Sequence, residues 1–313
     1  MEFFKKKTAF DFLSKRKPAF VFSAVLMLGS LILLIPGVRG LNFGIDFTGG
    51  VLVEVAYQGS ADLPDIRKRL AANGFPDAQV QNFGTSSDVL IRILPREGLQ
   101  GQVVSNQMLA VLKQGDASAE LRRTEFVGPQ VGEELTEQGA LAMLFAMLMI
   151  LAYIMVRFQW KFAVGAIIAT LHDPIITLGV FAIMGLTFDL SVLAAMLAVV
   201  GYSVNDTIVV FDRIRENFRK VRRGTPYEII NLSVNETLSR TIMTSGTTSL
   251  VVVAMLLFGG ETLRGFATAL LVGIAIGTYS SIFVASATAF ELKASPVDLL
   301  PPAKDKGEVD SMP

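Results

Sequence analysis

The chain has 313 residues, 51% of them hydrophobic and 18% charged, with a mean hydropathy of +0.51. A soluble protein carries about a quarter charged residues, so this composition describes a membrane protein. Lys plus Arg (28) balance Asp plus Glu (28), which argues against a mainly electrostatic nucleic-acid binder. With no cysteine and one histidine, disulfides and thiolate sites are excluded, and little is left for a zinc site or a Ser-His-Asp triad.

Six stretches are long enough to cross about 30 Å of hydrocarbon without a Lys or Arg: 18–38, 139–156, 162–186, 190–211, 241–259 and 265–290. The first follows Lys5, Lys6, Lys7, Lys15, Arg16 and Lys17. It is too long for a signal-peptide core and ends in Ile35-Pro36-Gly37-Val38, without a small-x-small cleavage site, so it reads as a retained helix. Basic residues cluster in 1–17, in 157–161, in 213–240 and after 290, whereas the opposite short loops hold only Arg264. The positive-inside rule then places both termini in the cytoplasm and exports 39–138.

The exported segment is large enough for a small domain. Val51, Val53 and Val55 alternate in a strand over 50–57, and a helix over 62–73 opens at Ser60 or Asp62. Strands at 78–84 and 88–94, a helix at about 102–114 and a strand at 119–127 follow. The order β-α-β-β-α-β predicts a small α+β ferredoxin-like exported domain between helices 1 and 2. In 213–240, Ile214, Phe218 and Val221 share a helical face ahead of Thr225-Pro226, which predicts an amphipathic cytoplasmic hairpin lying at the membrane surface. The cytoplasmic tail, 291–313, lacks apolar periodicity and is expected to be disordered.

Ionisable groups inside spans cost on the order of 2.5–3.5 kcal/mol on insertion scales, so each calls for a partner, water or a function. Asp206 in the fourth span is either a hydrogen-bonded packing residue or a carboxyl that binds and releases a proton or cation. Arg240, entering the fifth span, is a candidate counter-cation or an ordinary snorkelling anchor. Thr241, Thr244, Ser245 and Thr248 follow on one face; together with Asn205 they offer a polar relay, or pack against backbone carbonyls. In the third span, His172-Asp173-Pro174 supplies a possible supporting acid or interhelical lock, and Pro174 frees a carbonyl of the preceding turn. Asp212 reads as an anchor for the following helix. Gly273, Gly277 and Ser281 form a small-residue row suited to close helix packing.

Phe43-Gly44-Ile45-Asp46-Phe47-Thr48-Gly49-Gly50, after the first span, and Val200-Gly201-Tyr202-Ser203-Val204-Asn205-Asp206-Thr207 through Asn217 closely resemble the SecF family of protein-export membrane proteins. Arg240-Thr241-Ile242-Met243-Thr244-Ser245 and His172-Asp173 resemble it too, and the likeness runs to about residue 293. Pro174 departs from the family pattern, in which Val more often follows His-Asp. The resemblance implies membership of the resistance–nodulation–division superfamily, with proton coupling at Asp206 and essential support from Arg240. Gly44, Asp46, Gly49 and Gly50 are expected to form a hinge or docking junction where the first span enters the first strand.

Implied partners are a SecD-like subunit, the Sec channel with its accessory membrane proteins, translocating preproteins and the bilayer of a prokaryotic inner membrane; nucleic acid is not among them. No cofactor is implied beyond protons as coupling ion, and no chemical reaction: the chain has no Walker-type Gly-x-x-x-x-Gly-Lys-Ser/Thr pattern and is not itself an ATPase. Two rival readings stand beside this one. The first is a structural scaffold with an inert Asp206; the second is a half-size proton-driven exporter of small molecules or lipid.

Overall fold

The computed structural model describes residues 9–95, 101–221 and 223–296. From residue 297 on, the tail expected to be disordered lies outside the described residues. Of its first six residues, Glu291 ends a helix and Ala294 is buried.

After a short 3-10 turn (Leu13–Lys15) comes α1 (Arg16–Leu34). It stops four residues before the apolar run does. Pro36 disfavours helical geometry at the residue before it, and Ile35 is extended with ψ 125°. The chain then forms β1 (Asn42–Phe43), the single-turn α2 (Ile45–Thr48), β2 (Gly50–Ala56), α3 (Leu63–Ala72), β3 (Gln79–Phe83), β4 (Thr85–Ile93), α4 (Gly101–Gly115) and β5 (Glu120–Val127). Of the two N-cap candidates for α3, Asp62 holds the position, accepting the Asp65 N–H at 3.1 Å.

β2 to β5 form one antiparallel sheet in the order β3-β4-β2-β5. Alternation sorts its two faces. Val51, Val53 and Val55 of β2 pack with Val89, Ile91 and Ile93 of β4 under Ile66 and Leu70 of α3 and Met108 and Leu112 of α4. Leu52, Leu90, Arg92, Gln79 and Gln81 point the other way and line a cleft of about 350 Å³ whose far wall includes Thr187, Asp189, Glu261 and Arg264.

The remainder is helical: α5 (Pro129–Arg157), α6 (Trp160–Met184), β6 (Thr187–Phe188), α7 (Leu190–Lys220), α8 (Pro226–Phe258), α9 (Gly260–Ser280), a π-helical turn (Ser281–Ala285) and α10 (Ser286–Glu291). With α1, the described residues thus provide six helices long and apolar enough to cross a membrane. Three are central: 56% of the apolar stretch of α6, and 50% of those of α7 and of Gly260–Glu291, is buried inside the chain. The figures are 17%, 11% and 17% for α1, α5 and α8. α9 lies against α7 because Gly273 and Gly277 present no side chain; a Cβ on them would stand 2.2 Å from Val199 and 3.0 Å from Ser203.

Three helices outrun their apolar stretches. At 1.5 Å per residue, α5, α7 and α8 are about 44, 46 and 50 Å long, well beyond the hydrocarbon. α5 starts at Pro129, ten residues before its apolar run, because Glu133, Glu134 and Glu137 are good helix formers that hydropathy alone cannot reveal. The hairpin expected at 213–240 is instead the joined ends of α7 and α8. Nothing between Asp206 and Lys220 stops a helix, and the next start signal is a capping box of Thr225 with Glu228, with Pro226 at the first helical position. Arg157 of α5 clasps Asp212 of α7 through both carboxylate oxygens at 2.8 and 2.9 Å, so Asp212 does serve as an anchor, between helices.

Candidate functional site

The intramembrane polar residues separate into two groups. Asp206 on α7 is 4% exposed, and its Oδ2 is buried without a hydrogen-bond partner. One turn earlier on α7, the Tyr202 hydroxyl reaches Ser245 of α8 at 3.4 Å. Among the described residues no ion pair joins Asp206 to Arg240, which is exposed on the outside of the bundle.

Of the four hydroxyls expected in one stripe, two turn inward. Ser245 bonds Thr278 of α9 at 2.7 Å and accepts from Tyr202 at 3.4 Å, while Thr241 is buried with its hydroxyl unpaired. Thr244 and Thr248 donate to carbonyls of their own helix, Arg240 and Thr241 for the first, Thr244 for the second. Asn205 faces out of the bundle. Thr207 Oγ1 is also buried and unpaired, so among the described residues Asp206, Thr207 and Thr241 each bring such an atom to the spanning parts of α7 and α8. Buried polar atoms without partners are where a proton or a water molecule gains most.

The second group centres on Asp173 of α6, which is fully buried. Its Oδ1 meets His172 Nδ1 at 2.8 Å, and its Oδ2 accepts from Ser280 of α9 at 2.8 Å and from Ser203 of α7. One carboxylate therefore joins the three central helices. His172 Nε2 is unpaired, and the Tyr279 ring stacks over the imidazole at 6.3 Å while its hydroxyl reaches Ser23 and the Ala19 carbonyl of α1. Thr278 and Ser280, which touch one group each, lie within three residues of the π-helical turn, a feature frequent at functional sites.

Sequence reasoning assigned no role to Tyr202, Ser203, Thr278, Tyr279 or Ser280. Ser280 lies one position from the small-residue row at Gly273, Gly277 and Ser281, and three from Gly277, so helical spacing alone could have placed it beside α7.

The junction residues meet the membrane half directly. Asn42 and Phe43 pair in parallel with Thr187 and Phe188, the Gly44 N–H donates to the Phe188 carbonyl at 2.8 Å, and Phe47 stacks on Phe188 at 5.7 Å. Gly49 (φ +67°) and Gly50 (φ +122°) adopt left-handed conformations that glycine alone takes without strain, and a Cβ on Gly50 would stand 2.2 Å from the Ile93 carbonyl oxygen. Arg92 on the open face of the sheet donates to the Phe43 carbonyl and, at 3.4 Å, to Asn42 Oδ1. Burial lowers the Arg92 pKa from the ordinary arginine value.

Comparison with known proteins fits this arrangement. Residues 107–295 match the family model "Protein export membrane protein SecD/SecF, C-terminal", and residues 35–61, which hold the junction, match "SecD/SecF GG Motif". Similar curated proteins include Protein translocase subunit SecF of Vibrio alginolyticus, 51% identical over 99% of this chain and 98% of that one. The SecF subunit of Pseudomonas aeruginosa is also 51% identical, over 88% and 89%. Among solved structures, SecDF of Thermus thermophilus, described as a translocon-associated membrane protein, superposes with a TM-score of 0.82 at 36% identity. That match covers 91% of this chain, which spans only 39% of the SecDF chain; SecDF in its super-membrane-facing form gives a TM-score of 0.69. A family match over more than half its length, and relatives 51% identical over 88% and 99% of it, show that the chain belongs to the SecF family of protein export membrane proteins.

Proposed function

We propose that this chain is a subunit of the Sec protein-export machinery of a prokaryotic inner membrane, and that with a SecD-like partner it uses the proton gradient to promote preprotein translocation. Both termini are cytoplasmic, and the domain between α1 and α5, ferredoxin-like in its strand order, is exported. The observation that carries the proton reading is Asp206: a carboxyl buried in the bundle with one oxygen unpaired. Burial opposes the charged form of a carboxyl and a cation favours it, and such competition makes a group switchable.

The partner accounts for an otherwise costly surface. Gly201 and Asn205 of α7 and Arg240, Thr244, Gly246 and Thr247 of α8 are exposed on these central and peripheral spans, and a Cβ on Gly201 or Gly246 would meet nothing. Small and polar residues at membrane depth belong against another helix rather than lipid. A SecD-like six-helix half fits there. The chain itself performs no chemical reaction. One proton descending 100 mV supplies about 2.3 kcal/mol, about a fiftyfold bias on a two-state movement of the exported domain.

The test is preprotein translocation into membrane vesicles with and without an uncoupler, the chain being co-assembled with its partner. Asp206→Asn and Arg240→Ala are expected to abolish the gradient-stimulated part while leaving assembly and the uncoupler-resistant part intact. Stimulation that survives in Asp206→Asn, and is still removed by uncoupler, would instead support the passive scaffold.

A further inference from the structure

Asp46 belongs to α2, between the first span and the sheet, yet its carboxylate serves a different element. Asp46 Oδ2 accepts the Leu190 N–H, the first of α7, at 3.0 Å, from a residue 144 positions away. The N–H groups of a helix's first turn have no partner inside the helix. Asp189, the N-cap, takes the Val192 N–H at 2.9 Å and the Ser191 hydroxyl at 2.7 Å, which leaves the Leu190 N–H to Asp46. Two carboxylates at the positive end of a 31-residue helix also complement its dipole.

From Asp46 to the sheet there is little slack. Four residues on, Gly50 is pressed against the Ile93 carbonyl and begins β2. The Thr136 hydroxyl holds the Phe47 carbonyl at 3.2 Å, and Gly132 of α5 leaves less than a Cβ's room beside Gly49. On the other side, α7 runs sixteen residues from Leu190 to Asp206, about 24 Å of continuous helix.

We infer that Asp46 is a positioning residue for export: it ties the end of the Asp206 helix to the first strand of the exported domain, so that a shift of α7 along its axis moves that domain. This rests on the proton-coupled reading above. The connection carries both pull and push, since the hydrogen bond resists separation and the β1–β6 pairing with the Phe47–Phe188 stack resists sliding.

The experiment uses the assembled complex in vesicles. The chain lacks cysteine, so Gln81→Cys with Thr262→Cys, both on the cleft between domain and membrane half, reports domain position by cross-linking with and without uncoupler. Asp46→Ala is expected to lower the gradient-stimulated part of translocation about fivefold, the factor a lost cap implies, and to make cross-linking insensitive to uncoupler. Asp46→Asn keeps an oxygen for the Leu190 N–H and is expected to retain most of both responses. Leu190→Pro deletes the N–H while leaving Asp46 in place. Proline suits the first helical position, and Asp189 is already extended (φ −115°, ψ −179°), so this variant is expected to reproduce the Asp46→Ala loss. If Asp46→Ala and Leu190→Pro keep the response of the unmutated complex, or if Asp46→Asn fails as badly as Asp46→Ala, the inference is wrong and the coupling reading stands. Absence of any uncoupler effect in the unmutated complex would sink both.

Discussion

Ser203 and Asp206 stand one turn apart on α7 and serve different polar groups: Ser203 donates to Asp173 of α6, while Asp206 lies toward Ser245 of α8. α9 repeats the division, with Thr278 bonded to Ser245 and Ser280 to Asp173. Two helices, α7 and α9, therefore contribute side chains to both polar groups.

The clamp has a stability consequence. Asp173→Ala leaves the Ser203 hydroxyl and His172 Nδ1 without a partner in the bundle interior, while the Ser280 hydroxyl keeps only the Gly277 carbonyl at 3.1 Å. Each buried unsatisfied group costs about 1–3 kcal/mol, so the loss is expected to reach about 2 kcal/mol or more. Thermal unfolding of the purified complex in detergent measures it. Removing Ser203 and Ser280 together with Asp173 is expected to cost less than the sum of the separate changes, because the donors vanish with their acceptor.

The split of the hydroxyl stripe predicts a split in phenotype. Ser245→Ala removes the hydroxyl that bonds Thr278 and accepts from Tyr202, one turn before Asp206, and is expected to lower gradient-stimulated translocation severalfold. Thr244→Ala and Thr248→Ala remove only bonds to their own helix and are expected to change it less than twofold. The same vesicle assay, run on all three, distinguishes an inward relay from a continuous stripe.

At the junction, Gly50→Ala places a Cβ where the Ile93 carbonyl oxygen stands and imposes φ +122° on a residue with a side chain. A loss of about 2 kcal/mol or more is expected for the sheet domain, read as increased protease sensitivity of residues 50–127. Gly59→Ala, with nothing within 4 Å of its Cβ, is the matched control and is expected to behave like the unmutated chain.

Topology is checked by labelling. Ser86 on the sheet domain and Thr225 at the α7–α8 turn are both exposed. In intact cells a membrane-impermeant thiol reagent is expected to label Ser86→Cys and spare Thr225→Cys; the reverse pattern would invert the orientation.

The six apolar runs and the strand alternation around Val51, Val53 and Val55 were legible in the sequence because they answer to the solvent. A bilayer demands about twenty apolar residues per crossing, and a sheet with one covered face demands every second residue. Asp206 was legible for the same reason, as a charge that lipid does not tolerate. Helix lengths were not: the polar extensions of α5, α7 and α8 carry helix-forming residues without an apolar signature. Nor were the partnerships. Thr241, Thr244, Ser245 and Thr248 share one helical spacing, yet only the rotation of α8 against α7 and α9 decides which hydroxyls turn inward. Asp173 found its donors because Gly273 and Gly277 let α9 approach α7 closely, which brings Ser280 and Ser203 to the same carboxylate. Asp46 reached the Leu190 N–H across 144 residues by the same kind of event, since a helix end must satisfy its first N–H groups with whatever acceptor the packing of distant segments supplies.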